Sequence, residues 1–281
     1  MHQTNLRERL AKLAPSSRLE LVHRLRTAAP IAQALPEVWF EKPDPEDQLR
    51  LFCFPYAGSG ASVFRPWQDA MPDGVKLIPA HLPGRDERAA HPPTRTLSAQ
   101  VEQMHHAIEP LLDRPFALFG HSMGALLAFE LARALRESGS PRPLRLFLSA
   151  FRAPHLPNPN FTIHHLPDEV LKTVLLKDGT APEIVHNVDI MRALLPTLRA
   201  DFELCETYCH EEQPPLDVPI RAFGGLQDVR VPATDLEPWR EHTSRDFALQ
   251  TFTGDHFFVH SARDLLVTHL VDDLTACLAH L

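Results

Sequence analysis

The pentapeptide Gly120-His121-Ser122-Met123-Gly124 fits G-x-S-x-G, in which glycines let the chain pass through a strained strand-to-helix bend and leave a serine hydroxyl exposed. A hydroxyl is a weak nucleophile at its free pKa. To attack a carbonyl carbon it needs a histidine to take its proton and a carboxylate to hold that histidine in one tautomer. In the chain order serine, acid, histidine, two later positions comply. Asp228 ends "IRAFGGLQD", directly off an apolar strand, and His256 follows "LQTFTGD" before the last helix. Asp255 is adjacent to His256; Asp235 is a rival acid and His260 a rival base. Asp235 follows Pro232 and opens a short helical stretch, where a cap is its expected role, and His260 lies beside Ser261 at the start of the next helix rather than in the loop. Asp228 and His256 are therefore preferred. His121 sits inside the bend, where the backbone is expected to turn it away from the reaction.

Acyl transfer through such a trio also needs donors for the oxyanion. One is expected from the backbone N–H of Met123, immediately after the serine and at the positive end of a helix. The second should come from an early strand-to-helix loop. "FPYAGSGAS", residues 54–62, supplies glycines for a close approach, with Ala57 N–H preferred over Tyr56 or Gly58.

These residues need elements that carry them to one place. From residue 49 onward, short apolar runs alternate with helical stripes. The runs are "LRLFCF", "VKLIPAHL", "FALFGHS", "LRLFLSA", "VPIRAFGG" and "FALQTF". Leu97, Val101, Met104, Ile108 and Leu112 form one stripe, "SMGALLAFELARALRESG" another that stops at Gly139, and leucines from Leu265 to Leu278 a last one. Alternation of this kind predicts an α/β fold: a mostly parallel sheet with helices on both faces. Residues 154–217, between the fourth and fifth strands, open on the proline-rich "APHLPNPNFTIHHLP" and continue with apolar positions at helical spacing. They read as a helical lid. "LPGR", residues 82–85, reads as a surface turn without a catalytic role.

With 281 residues and 44% hydrophobic content, the chain can bury one sizeable core. The net charge of −8 argues against general nucleic-acid binding. The absence of an eighteen-residue apolar run and the charged start "MHQTNLRERLAKL" argue against a membrane span or a secretory signal, so a cytoplasmic address is expected. Cys53, Cys205, Cys209 and Cys277 are scattered; Cys205 and Cys209 lack a second pair to finish a metal site and read as structural thiols. The charge is uneven. In the first thirty residues Arg7, Arg9, Lys12, Arg18, Arg24 and Arg26 face only Glu8 and Glu20. Leu6, Leu10 and Leu13, then a Ser17–Glu20 capping box with Leu21, Val22 and Leu25, predict two short amphipathic helices. "EKPDPEDQ", residues 41–48, reads as a linker. The organisation expected is thus an N-terminal helical extension, 1–40, and a catalytic domain, 41–281. The extension either packs on the main body or docks, through residues 1–35, to a larger assembly.

Taken in order, "FPYAGSGASVFRPW", "LPGRDER", "GHSMGALLAFELARAL", "LLPTLRADFELCETY", "GGLQD" and "GDHFF" resemble the type II, editing thioesterases that accompany polyketide and nonribosomal peptide synthases. The resemblance covers roughly residues 49–260 and is more specific than G-x-S-x-G, because "LPGR" and "RADFELCETY" are not general hydrolase features. It implies an α/β-hydrolase fold and a triad of Ser122, Asp228 and His256. It further implies an acyl group delivered on the phosphopantetheine arm of a carrier protein. The chemistry itself requires no metal or diffusible cofactor. The basic N-terminal segment departs from the usual form, which starts close to the first strand. A terminal, product-releasing thioesterase would share the triad. The thirty-odd helical residues upstream are below the usual size for an independent carrier domain, and that favours an editing enzyme. A small-molecule esterase would use the same trio, though "RADFELCETY" weighs against it. A protein without activity, serving only as a docking subunit through its basic helices, would have no need of the trio at all.

Overall fold

Each of the six apolar runs forms a strand: β1 Leu49–Phe54, β2 Val75–Pro79, β3 Phe116–His121, β4 Leu146–Ser149, β5 Ile220–Gly225 and β6 Phe247–Phe252. The computed structural model describes residues 38–159 and 161–281. The predicted helices before residue 38, with the Ser17–Glu20 capping box, lie outside the described residues. All neighbouring strands pair in parallel, in the order β2-β1-β3-β4-β5-β6. Parallel pairing requires crossovers. They are supplied mainly by helices α1 Leu97–Ile108, α2 Met123–Ser138, α3 Asp168–Lys177, α4 Pro182–Val185, α5 Val188–Glu206 and α6 Ala233–Leu236. The short α7 Phe258–Ser261 and then α8 Arg263–Leu278 close the chain.

The two-residue period of a strand sorts its side chains between two cores. Phe52, Phe54, Phe116, Leu118, Leu146 and Leu148 face one cluster, with Met104 of α1 and Leu127 and Leu131 of α2. Leu51, Cys53, Ala117, Phe119 and Phe147 face the other, with Phe64, Trp67 and Leu266, Leu270 and Leu274 of α8. A sheet covered on both faces has continuous apolar strands, and β1 and β3 are buried at every position. Helix α2 ends where the sequence indicates. Gly139 takes a left-handed φ of 72°, its N–H and that of Ser140 bonding back to the carbonyls of Arg136 and Leu135. Of the last predicted stripe, Leu265 is 62% exposed, whereas Leu266, Leu270 and Leu274 are buried and carry the packing of α8.

The larger compact unit begins at Val38. Residues 38–40, grouped by composition with the N-terminal extension, belong to it: Trp39 and Phe40 are buried, and Phe40 bridges antiparallel to Ala80. The Pro-rich "EKPDPEDQ" is anchored too, with Asp47 buried 3.7 Å from Arg50.

Strand order carries the main functional consequence. From β1 the chain moves one way to β2, and from β3 onward it moves the other way. The loops leaving β1 and β3 therefore part at a topological switch point and open a crevice beyond the carboxyl ends of the strands. Helices α3, α4 and α5 lie in the predicted insertion between β4 and β5. They bury a small core of their own, built on Ile163, Leu171, Leu175, Met191 and Leu198, and Ala57 of the loop after β1 packs against it. Asn187 caps α5, its side-chain oxygen accepting from the N–H groups of Asp189 (3.1 Å) and Ile190 (3.0 Å).

Candidate active site

The bend after β3 is sharp because nothing else fits. Ser122 has φ 53° and ψ −120°, a left-handed conformation costly for a residue with a side chain. A Cβ on Gly120 would stand 1.9 Å from the carbonyl oxygen of Gly124, and one on Gly124 would stand 2.0 Å from that of Phe54. The two glycines thus let strand, helix and the loop after β1 meet without a clash. The bend is held by Ser122 N–H donating to Ser149 O at 2.7 Å and Ala125 N–H to Ser122 O at 2.9 Å.

The three side chains singled out by chain order come together. Ser122 Oγ lies 2.9 Å from His256 Nε2, and His256 Nδ1 lies 2.7 Å from Asp228 Oδ2. Asp228 leaves β5 and is buried, and its other oxygen, Oδ1, accepts from the backbone N–H groups of Arg230 (2.9 Å) and Val231 (3.0 Å). With Nδ1–H donating to the carboxylate, Nε2 of a neutral imidazole carries no proton and can accept the hydrogen bond of the serine hydroxyl. The rivals and the adjacent Asp255 are occupied elsewhere. Asp235 sits in the first turn of α6. Asp255 accepts from Phe257 N–H at 2.8 Å. His260 lies in α7 with Nε2 2.9 Å from Tyr56 Oη.

Met123 opens α2, so its N–H has no acceptor within the helix. Among the described residues Ala57 N–H has no acceptor either, and both residues line a cavity with Ser122. The neighbouring Gly58 N–H is already used, by Asp201 Oδ2 at 2.7 Å.

Two features are not legible from spacing alone. The ring of His121 is engaged by other partners and braces His256: its Nε2–H donates to the backbone carbonyl of His256 at 2.9 Å, and its Nδ1 accepts from Ser149 Oγ at 2.8 Å. The unbroken apolar run "FALFG" leading into it is the sequence signal that could have pointed to a bonded core histidine. The second is a correction. "LPGR" is not a surface turn, because Leu82 and Pro83 are buried and Arg85, whose side chain is only 9% exposed, pairs with Asp201 at 2.7 Å. Its partner is supplied from α5, more than a hundred residues later.

Two buried histidines set an acid limit. Burial holds the His121 imidazole well below 6.5, helped by the nearby His256. Burial, then His155, His210 and Arg133, hold His242 down to about 4. Both are neutral when folded and free to charge when unfolded. The unfolded chain therefore binds more protons below about pH 6.5, and stability falls from there towards pH 4. His242 alone should cost on the order of 2 kcal/mol between pH 7 and 5, and His121 adds to the loss in the same direction. Calorimetry should show the midpoint dropping by several degrees over that range, with a shallower drop in His242→Gln. An equal drop in that variant would remove His242 from the account.

Below the helical insertion, a cavity of about 290 Å³ reaches Ser122 and His256; Leu175, Ile184, Leu194, Leu198 and Phe257 form its apolar walls. A second, of about 80 Å³, shares Ala57, Ser122, Phe202, Arg230 and His256 with it. Among the described residues no cluster of His, Cys, Asp and Glu could hold a metal ion, and no helix is long and apolar enough to cross a membrane.

Known proteins resemble this chain in sequence and in fold. The profile of the thioesterase domain family matches residues 49–276. The chain is 42% identical over 249 residues to a protein of Brevibacillus parabrevis named linear gramicidin dehydrogenase LgrE, covering 86% of this chain and 95% of that one. It is also 42% identical over 233 residues to the gramicidin S biosynthesis protein GrsT of Aneurinibacillus migulanus, covering 83% and 91%. Among solved structures, the RedJ thioesterase of prodiginine biosynthesis in Streptomyces coelicolor superposes with a TM-score of 0.78 at 40% identity, over 88% of this chain and 98% of that one. The sheet and its crossovers are those of the α/β-hydrolase fold, and by sequence and by structure the chain belongs to the thioesterase domain family, hydrolases of acyl thioesters.

Proposed function

We propose that this thioesterase clears acyl groups from the phosphopantetheine arm of carrier proteins in a polyketide or nonribosomal peptide synthase, with Ser122 as nucleophile, His256 as base and Asp228 as its orienting carboxylate. The observation that carries the reading is the continuous chain Ser122 Oγ, His256, Asp228 opening into an apolar cavity. His256 Nε2 takes the hydroxyl proton as Oγ attacks the thioester carbon. The tetrahedral oxyanion forms against the N–H groups of Met123 and Ala57. Collapse expels the pantetheine thiolate, which takes the proton from His256. Water activated by the same imidazole then cleaves the acyl-serine and releases a carboxylic acid. A thiolate leaves more readily than an amine, so selectivity rests on access and on the fit of the acyl chain.

The insertion at 154–217 acts as the lid, with the apolar faces of α3, α4 and α5 lining the acyl chamber. The loop after β1 does not favour a dehydrogenase, the word in one relative's name. Amides there that could face a dinucleotide phosphate are used internally, Gly58 N–H by Asp201 and Ala61 N–H by Asp86 at 2.9 Å. The relatives named for gramicidin S and prodiginine biosynthesis support a synthase as partner. The basic segment 1–35 is a candidate docking element for it, and a cytoplasmic location suits a carrier-bound substrate. No metal or diffusible cofactor is needed by the steps above.

Mass spectrometry of carrier proteins loaded with a series of acyl groups tests the reading. Incubation with enzyme should return the carrier to its free-thiol mass and release the acid, fastest for short or aberrant acyl units. Hydrolysis of oxygen esters with carrier thioesters left intact would overturn it in favour of a small-molecule esterase.

A further inference from the structure

The two motifs most specific to this chain, "LPGR" and "RADFELCETY", take no direct part in the steps above, yet they meet. Arg85 and Asp201 form a bidentate pair, Arg85 Nη1 to Asp201 Oδ2 and Nη2 to Oδ1, each at 2.7 Å, with both side chains nearly excluded from solvent. The same carboxylate oxygen, Oδ2, accepts the N–H of Gly58 at 2.7 Å, and Arg85 Nη1 also donates to Ser59 O at 3.1 Å. Gly58 and Ser59 directly follow Ala57. Helix α5 is pressed on that loop as well: a Cβ on Gly58, where φ is 76°, would lie 2.8 Å from Leu198 Cδ1. One turn away from Asp201, Thr197 Oγ1 donates to Gly84 O at 2.9 Å.

We infer that Asp201 and Arg85 are positioning residues for the oxyanion donor, a bracket that ties the lid helix α5 to the loop after β1 and so sets the direction of the Ala57 N–H. The inference rests on the proposed role of Ala57. A buried ion pair is a poor general stabiliser, since apolar residues of similar volume often serve as well or better. Here the pair satisfies a particular amide and a particular carbonyl on either side of one peptide. Its geometry also explains the residue types. Only an arginine can span both carboxylate oxygens and still reach Ser59 O, and only a carboxylate can accept two Nη donors and an N–H together. The bracket further divides the lid. The 194–201 stretch of α5 is fixed to the catalytic loop, which leaves opening movements to α3 and α4.

Two variants separate positioning from bulk stability. In Asp201→Asn, either orientation of the amide turns its NH2 towards a donor of Arg85 or Gly58. In Arg85→Met/Asp201→Leu, the pair is replaced by apolar side chains, and the fold should keep its melting midpoint within a few degrees. Both are expected to lower kcat for a short acyl thioester by about tenfold to a hundredfold, part of the effect of losing an oxyanion donor outright, with KM changed less than threefold. The affinity for a trifluoromethyl ketone analogue, whose adduct carries an oxyanion, should fall in parallel with kcat/KM. Affinity for the unreactive thioether analogue should not. A folded double variant with wild-type kcat, or one losing affinity for both analogues equally, would overturn the inference. Ser122→Ala assayed alongside keeps the two readings apart: turnover retained there would sink the nucleophile assignment itself, whereas loss there with wild-type kcat in both bracket variants would sink only the bracket.

Discussion

Ser122→Ala should lower kcat for an acyl-carrier thioester by about 10⁴-fold or more, because in such constellations the nucleophile acts with its base as one unit and only binding and the oxyanion donors remain without it. The fold should be unaffected. The strained backbone at φ 53° is held by surrounding contacts, chiefly Ser122 N–H on Ser149 O and the close packing of Gly120 and Gly124, and alanine keeps all of them. What is lost is the hydroxyl 2.9 Å from His256 Nε2. Intact-protein mass spectrometry under single turnover should detect an acyl adduct on the wild type and none on the variant. Turnover within tenfold of wild type would mean that another group attacks the thioester.

For Asp228→Asn a loss on the order of 10⁴-fold in kcat is expected, for a different reason. Oδ1 of Asp228 accepts two backbone N–H groups, from Arg230 and Val231. An asparagine must keep its carbonyl oxygen there, since its NH2 cannot face two donors. That orientation points the NH2 at His256 Nδ1, now 2.7 Å from Oδ2. Nδ1 must then become an acceptor, the ring proton moves to Nε2, and the imidazole can no longer take the serine proton. Folding should change little, because the side chain keeps its size and its backbone bonds. Kinetics of a small acyl thioester, with the melting midpoint measured beside it, check both statements. A loss below tenfold would transfer the orienting role to another carboxylate, with Asp178 on the cavity wall the first to test.

Chain order was enough to bring Ser122, Asp228 and His256 forward, because in an open parallel sheet every strand ends at the same edge and whatever follows a strand lies on that edge. Each of the three follows a strand that a short apolar run announces. The place of the loop at residues 54–62 was legible for the same reason: it follows β1, beside β3, and its glycines mark a close approach. The misjudged positions share another cause. Arg85 looks like a solvated charge in a turn because its partner Asp201 is far away in the chain, and nothing local reveals that α5 will lie over it. Trp39 and Phe40 were grouped with the N-terminal extension because the prolines and charges after them imitate a linker, whereas their burial depends on a bridge to Ala80 and on packing against the sheet.

By itself the amino-acid order determined the alternation of elements, the two glycines of the bend and the sequence of the three chemical groups, all consequences of local periodicity and backbone sterics. Only the tertiary structure decided which ring nitrogen of His256 faces Asp228 and which faces Ser122, that His121 braces it, and that a buried ion pair from the insertion grips the loop at Gly58. These depend on atoms placed within about 3 Å by separate elements, and no local pattern encodes such a distance.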